Sequence, residues 1–398
     1  MKEMVIMINC IKKSRVTTII LIYLIYISLG IPDSILGVAW PEVRESFGVP
    51  IYYGSIIMTI VSILAAFSSV MYTYIVDKLS VEKIVVYSCF LTAIGLLLIG
   101  CSTSFLMICF AAIPLGIGAG AVDASLNNFV SENLNDKHMI WLHGFWGVGA
   151  VIGPTIYSVL QRVNYTWKLS SILISMLQFI LVVILFLNRK KIKEYKSTEE
   201  KNIEYNVKSK CSKHLIFLRI FYIFVFSGFD VSINLWLATY LQECLNYSPE
   251  IASIVVTLYF GSVMLSRFVV GIISKNIEIK KIIFLGLIIS ALGTFLLLVS
   301  FNISMIIVSV LLTGMGMCVV YPFTLYENHI CYEIREAQKI TSFQIAFNLV
   351  GGLIFPIALG LFMTYVSTNL YIWFQLTLII IAVVIRLIIS LEKNIEKE

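Results

Sequence analysis

The chain is predicted to be an all-α membrane protein, with twelve transmembrane helices in two pseudo-symmetric six-helix bundles. Three observations predict this. Of 398 residues, 59% are hydrophobic and only 13% charged, where a soluble domain carries about 25% charge. The apolar residues gather into twelve long runs, each near the roughly 20 residues that cross a hydrocarbon core. The last six runs repeat features of the first six in order. The runs are continuously apolar rather than alternating, which excludes a β-barrel.

The first run, 17–39, follows Lys2, Lys12, Lys13 and Arg15. It is too long for a secretory signal and lacks an A-x-A-like cleavage site, so it is expected to remain as the first helix. It contains Pro32 followed by Asp33. The aspartate either caps amides freed at a proline kink or faces a polar cavity. Runs two (52–76) and three (83–101) flank the short loop VDKLSVEK. Run four (105–130) carries Gly116, Gly118 and Gly120, then Asp123 and, one turn on, Asn127. Small residues there let a neighbouring helix approach closely. Run five (140–161) holds His143, Trp146, Gly149, Gly153 and Pro154, and run six (168–188) closes the first half.

The segment 189–213 is polar, lysine-rich and without apolar periodicity. It is expected to be a solvated cytoplasmic linker between halves at 1–188 and 214–398. Run seven (214–242) contains Arg219, Asp230, Asn234 and Trp236, and run eight (250–274) contains Arg267. Runs nine (280–300) and ten (303–326) follow, the latter with Tyr321. Run eleven (339–365) places Gln344 and Asn348 one turn apart, and run twelve (370–391) ends the series.

Orientation follows from the basic residues. With a cytoplasmic N-terminus, outer loops hold only Arg44, Arg162 and Lys168, while most of the 29 basic residues fall inside. This predicts both termini in the cytoplasm. The net charge of +6 therefore reports topology, and its spread among loops argues against a nucleic-acid partner. The eight cysteines form no CxxC pair, so neither a disulfide framework nor a metal site is expected. No GxxxxGK[ST] loop is present, which argues against ATP-driven transport; enzymatic chemistry and a cofactor are not expected either.

The halves match at an offset of about 198 residues. GIGAGAVD (116–123) pairs with GMGMCVVY (314–321), setting Asp123 opposite Tyr321. VDKLSVEKI (76–84) pairs with SKNIEIKKI (274–282), and SLGIPD (28–33) with FSGFD (226–230). WGVGAVIGP (146–154) pairs with NLVGGLIFP (348–356) at an offset of 202. Asp33, Asp123 and Asp230 each lie inside an apolar run. A charged side chain at bilayer depth costs at least about 2.5–3.5 kcal/mol, so it usually faces a polar cavity and binds a solute or carries a proton.

On these residues the chain resembles the major facilitator superfamily, whose duplicated six-helix halves bind solute between them near mid-membrane. The loop VDKLSVEK is similar to that family's G-x-x-x-D-R-x-G-R-R loop, with Asp77 and Lys78 at the Asp-Arg positions and Lys83 as a following base. Thr73 and Ser80 replace its two glycines, and the second half keeps Gly271 and Lys280-Lys281 without the acid. The resemblance implies that Asp77 and Lys78 belong to a gating loop. Within the superfamily, DASLNNFV (123–130) resembles the E-T-A-A-N-P-F-V of the fucose permease-like branch. That sets Asp123 on a functional Glu and Asn127 on an Asn. LHGFWGVGAVIGP (142–154) resembles the branch's fifth helix, with His143 and Trp146 on polar positions. DSILGVAWP (33–41) is similar to N-D-I-L-L-P; aligned on the proline, the family's Asp falls on Gly37, and Asp33 lies one turn earlier on the same face.

Residues and resemblance together lead to a secondary active transporter working by alternating access. Proton-coupled uptake (symport) of a small polar solute such as a sugar is expected. Asp33 and Asp123 are the expected proton-coupling groups. Asn127, His143, Trp146, Asp230, Asn234, Tyr321, Gln344 and Asn348 are expected to bind solute, and His143 is equally a proton relay or a neutral donor. The alternative is proton-antiport efflux of a drug or metabolite, since Gly149, Gly153 and Pro154 resemble an exporter motif and 13% of the chain is aromatic. A membrane-bound sensor has no soluble domain to signal through. The expected partners are the solute, protons and the lipid bilayer. The expected state is a monomer, multi-pass in a bacterial plasma (inner) membrane.

Overall fold

The computed structural model of the chain describes residues 2–76, 78–134, 136–193, 195, 212–273, 277–332 and 334–395. Asp77 of the expected gating loop and most of the 189–213 linker lie outside them. The first six helices are α1 (Lys2–Phe47), α2 (Tyr53–Ile75), α3 (Val81–Gly100), α4 (Phe105–Asn133), α5 (Asp136–Arg162) and α6 (Trp167–Lys193). The rest are α7 (Lys213–Glu243), α8 (Pro249–Ile273), α9 (Ile279–Leu298), α10 (Ile303–Met317), α11 (Val320–Cys331), α12 (Ile334–Tyr365) and α13 (Leu370–Ile395). Among the described residues, eleven stretches are long and apolar enough to cross a membrane. The twelfth expected crossing is α5, 27 residues long, whose apolar character is diluted by His138 and His143.

Two departures from the run pattern have local causes. The tenth run becomes two helices, α10 and α11, within one spanning stretch, Ile303–Asn328. Pro322 has no N–H for the Cys318 carbonyl and its ring crowds that group, so the helix pauses at Cys318–Val319. The first helix continues beyond the expected end at residue 39, because Trp40 and Val43 still bury apolar surface. It stops at Gly48, whose φ of +63° is the left-handed conformation that favours glycine. The Gly48 N–H reaches the Glu45 carbonyl at 3.2 Å and the Val49 N–H the Arg44 carbonyl at 3.0 Å, closing the last turn. Side-chain caps start other helices: Ser104 accepts from the Met107 N–H at 3.3 Å, Ser212 from Leu215 at 3.2 Å and Asn302 from Met305 at 2.9 Å.

The chain forms two compact units, residues 1–35 with 56–200, and 36–55 with 201–398. In the first, small residues set the helix crossings. A Cβ at Gly116 or Gly120 would strike the backbone of Val61 or Ala65 on α2, and one at Gly118 the backbone of Ser88 on α3. Gly149 sits against the Ile27 carbonyl of α1, and Gly30 of α1 against the Trp146 carbonyl of α5. Buried Gln178 on α6 donates to the Ser28 carbonyl at 2.7 Å. The apolar core of this unit includes Leu21, Ile25, Tyr26, Phe129, Val130 and Leu142.

In the second unit, α12 lies on α7 through Gly351, which touches the Phe224 carbonyl, while α9 and α10 meet at Gly286 and Gly316. The C-terminal end of α1 belongs here. Arg44 pairs with Glu243 of α7, and the Tyr52 N–H reaches the Thr364 hydroxyl at 3.2 Å.

Candidate functional site

The glycine crossings decide which polar side chains meet in the first unit. Close packing of α1 on α5 brings Trp146 beside Asp33, and its indole Nε1 donates to the Asp33 carboxylate at 2.8 Å. Asp33 is the exposed residue in an otherwise buried stretch, 28–35. It therefore faces an opening, with the Trp146 indole as its hydrogen-bond donor. Two turns earlier on α1, Tyr26 donates to the Asp123 carboxylate at 2.9 Å. Asn127, one turn on in α4, donates to the same oxygen at 3.0 Å. The His143 ring meets the Tyr26 ring edge-on at 6.1 Å between centroids. Asp123 and His143 are both exposed, whereas Tyr26 is buried. The Asp33 and Asp123 carboxylates are close enough to interact electrostatically. All five expected first-half residues thus come together, with Tyr26 as an unforeseen member.

The hydrogen bonds that hold the two carboxylates come from neutral donors: an indole, a phenol and an amide. Among the described residues, no ion pair reaches Asp33 or Asp123. A neutral donor leaves a carboxylate free to gain and lose a proton without breaking a salt bridge. Each such bond to a charged group contributes about 1.5–3 kcal/mol.

The second unit distributes its polar groups differently. Asn234 donates to the Asp230 carboxylate at 3.3 Å, and Arg267 of α8 acts on that carboxylate electrostatically. Both Asp230 and Asn234 are half-buried on α7, as are Tyr321 on α11 and Asn348 on α12. The Asn348 backbone carbonyl accepts from the Ser227 hydroxyl at 2.6 Å. Trp236 is fully buried and donates to the Pro356 carbonyl at 2.9 Å. Lys78 is exposed in the turn after α2.

Gln344 is not brought to the same place as Asn348. It is fully buried and both ends of its amide are occupied: it donates to the Arg219 carbonyl at 3.1 Å and accepts from Asn328 at 2.6 Å. It belongs to an ion network. Arg386 grips Glu327 with two nitrogens at 2.7 and 3.2 Å. Arg219 reaches Glu327 at 3.4 Å and the Asn328 side chain at 3.1 Å, with its guanidinium 5.1 Å from the Tyr332 ring centre. Two arginines thus face one glutamate in the interior. Removing one partner of such a buried pair costs about 3–5 kcal/mol.

A family model for the Major Facilitator Superfamily matches residues 22–322 and 220–397. The chain is 23% identical over 360 residues to the glucose/mannose transporter GlcP of Bacillus subtilis (strain 168), covering 85% of this chain and 86% of the relative. A shorter similarity, 25% over 181 residues, covers 44% of this chain and 40% of the multidrug efflux pump SdrM of Staphylococcus aureus (strain N315). Among solved structures, a bacterial homologue of the human lysosomal transporter Spinster, inward-facing and occupied, superimposes with a TM-score of 0.73 at 12% identity, over 94% of this chain and 97% of that one. Its unoccupied inward-facing form gives 0.70 at 12% identity, over 94% and 95%.

Proposed function

The chain belongs to the major facilitator superfamily, and from that premise we propose that it couples the proton gradient to the uptake of a small polar solute, with a sugar as the favoured class. It is a multi-pass membrane transporter and not an enzyme; the coupling, direction and solute are the proposal. The observation that carries it is the pair of carboxylates, Asp33 and Asp123, held by Trp146 and by Tyr26 with Asn127. Among the described residues neither carboxylate has an ion-pair partner, so taking up a proton breaks no salt bridge. Uptake follows when proton and solute stabilise the same conformational state.

Hydroxyl recognition falls to Asn127, His143 and Trp146 in the first half, and to Asp230, Asn234, Tyr321 and Asn348 in the second. Gln344 is left out, because both ends of its amide serve the protein itself. Similarity to a glucose/mannose transporter along 85% of the chain supports the sugar class. Asp77 and Lys78 keep the gating-loop role as a proposal. We place the protein as a monomer in a bacterial plasma membrane with both termini cytoplasmic.

Efflux by proton antiport is the second reading, favoured by the similarity to a multidrug pump over 44% of the chain. Thermal unfolding of the purified protein separates the two. A ligand at a hundred times its Kd stabilises the folded state by about 2.7 kcal/mol. Uptake of sugar predicts a raised Tm with D-glucose or D-mannose. Stabilisation by lipophilic cations alone, with no response to any hexose, rejects sugar uptake in favour of efflux.

A further inference from the structure

The buried ion network of the second half has no part in the function proposed above. Arg219, Glu327, Asn328, Gln344 and Arg386 are each 2% exposed or less. The repeat offsets of about 198 and 202 residues set Arg219, Glu327, Asn328 and Gln344 opposite Leu21, Phe129, Val130 and Leu142. Those four belong to the apolar core of the first half. The same helical plan therefore closes these positions without charge, and helix packing alone does not account for the network.

A bidentate guanidinium–carboxylate pair adds direction, which apolar contact lacks. The network conveys that direction to α12. Asn328 donates to Thr341 at 3.0 Å and to Gln344 at 2.6 Å, and Gln344 donates to the Arg219 carbonyl on α7 at 3.1 Å. One turn further along α12, the Asn348 carbonyl accepts from Ser227 of α7 at 2.6 Å.

We propose that Arg219, Glu327 and Arg386, acting through Asn328 and Gln344, form a register lock that sets α12 against α7 and so positions Asn348 for solute. The positioning of Asn348 rests on the uptake reading; the lock itself does not. Both are tested in the full-length protein. A Cβ at Gly352 falls 3.1 Å from the Ser227 Oγ, so the pair Ser227→Cys and Gly352→Cys reports the α7–α12 register through disulfide yield under mild oxidation, read by mass spectrometry.

Replacing the three charges with Arg219→Met, Glu327→Leu and Arg386→Met is expected to leave a folded protein whose cross-link yield falls severalfold. Without the cysteines, the same variant should show a KM for D-glucose raised about tenfold, the scale of one lost hydrogen bond, at unchanged Vmax. A merely structural role would lower the amount of protein and Vmax together and leave KM alone. An unchanged cross-link yield overturns the lock, and a lost cross-link with an unchanged KM overturns the positioning of Asn348. If the triple variant does not fold, Gln344→Met, which removes the bonds from Gln344 to Asn328 and to the Arg219 carbonyl but leaves the ion pairs intact, decides by the same readings. If the parent transports no D-glucose while the cross-link still depends on the network, the uptake reading fails and the lock stands.

Discussion

Asp33 and Asp123 differ from Glu327 in what holds their charge. Glu327 lies between two guanidiniums, whereas the two aspartates meet an indole N–H, a phenol and an amide. Trp146→Phe keeps an aromatic ring and removes the donor to Asp33. Losing a bond of about 1.5–3 kcal/mol should slow proton-driven uptake about tenfold or more, with Tm nearly unchanged; unaltered uptake would detach Asp33 from coupling. Tyr26→Phe should have a similar effect through Asp123, read in the same assay. The aspartates were legible in the sequence because a carboxylate in an apolar run is too costly to serve as mere packing. Tyr26 was not, being one of 20 tyrosines with nothing in its spacing to name its partner. Gln344 shows the complementary limit. Its spacing from Asn348 correctly puts both on one face of α12, but a shared face does not say which neighbour covers each turn.

Helices here are placed by glycine. Gly149 has the Ile27 carbonyl where a side chain would stand, so Gly149→Val should force α1 and α5 apart, lower Tm by several degrees and weaken the Trp146–Asp33 contact. A smaller loss is expected for Gly48→Ala, where a left-handed residue gains a Cβ at about 1–2 kcal/mol and no neighbour is crowded. Thermal unfolding in detergent measures both, and a Gly149→Val protein as stable as the parent would contradict the close crossing. Helix positions were readable from run length, since the bilayer demands about 20 apolar residues per crossing. The pause at Cys318–Val319 had its signal in Pro322. The ion network had a poorer one. Arg386 stands near the C-terminal end of its run, where an arginine ordinarily reaches the headgroups, and Glu327 falls just past the expected end of run ten.

At the scale of the whole molecule, composition and repeat were enough to anticipate an all-α membrane fold of the major facilitator type, because a chain in lipid must satisfy its backbone within helices or a closed barrel. The solute was less legible, since a hydroxyl-binding face and a drug-binding face draw on the same amide and aromatic residues. The biased distribution of lysine and arginine predicts that a cysteine at Ser197 resists an impermeant thiol reagent applied outside intact cells; labelling from outside would reverse the orientation. The central claim is that Asp123 exchanges the proton that drives uptake. Its most direct test is D-glucose accumulation in proteoliposomes under an imposed inward proton gradient, comparing the parent with Asp123→Asn. The account predicts uphill accumulation by the parent and only equilibration by the variant, whose amide cannot take up and release a proton. Undiminished uphill accumulation by Asp123→Asn would contradict it.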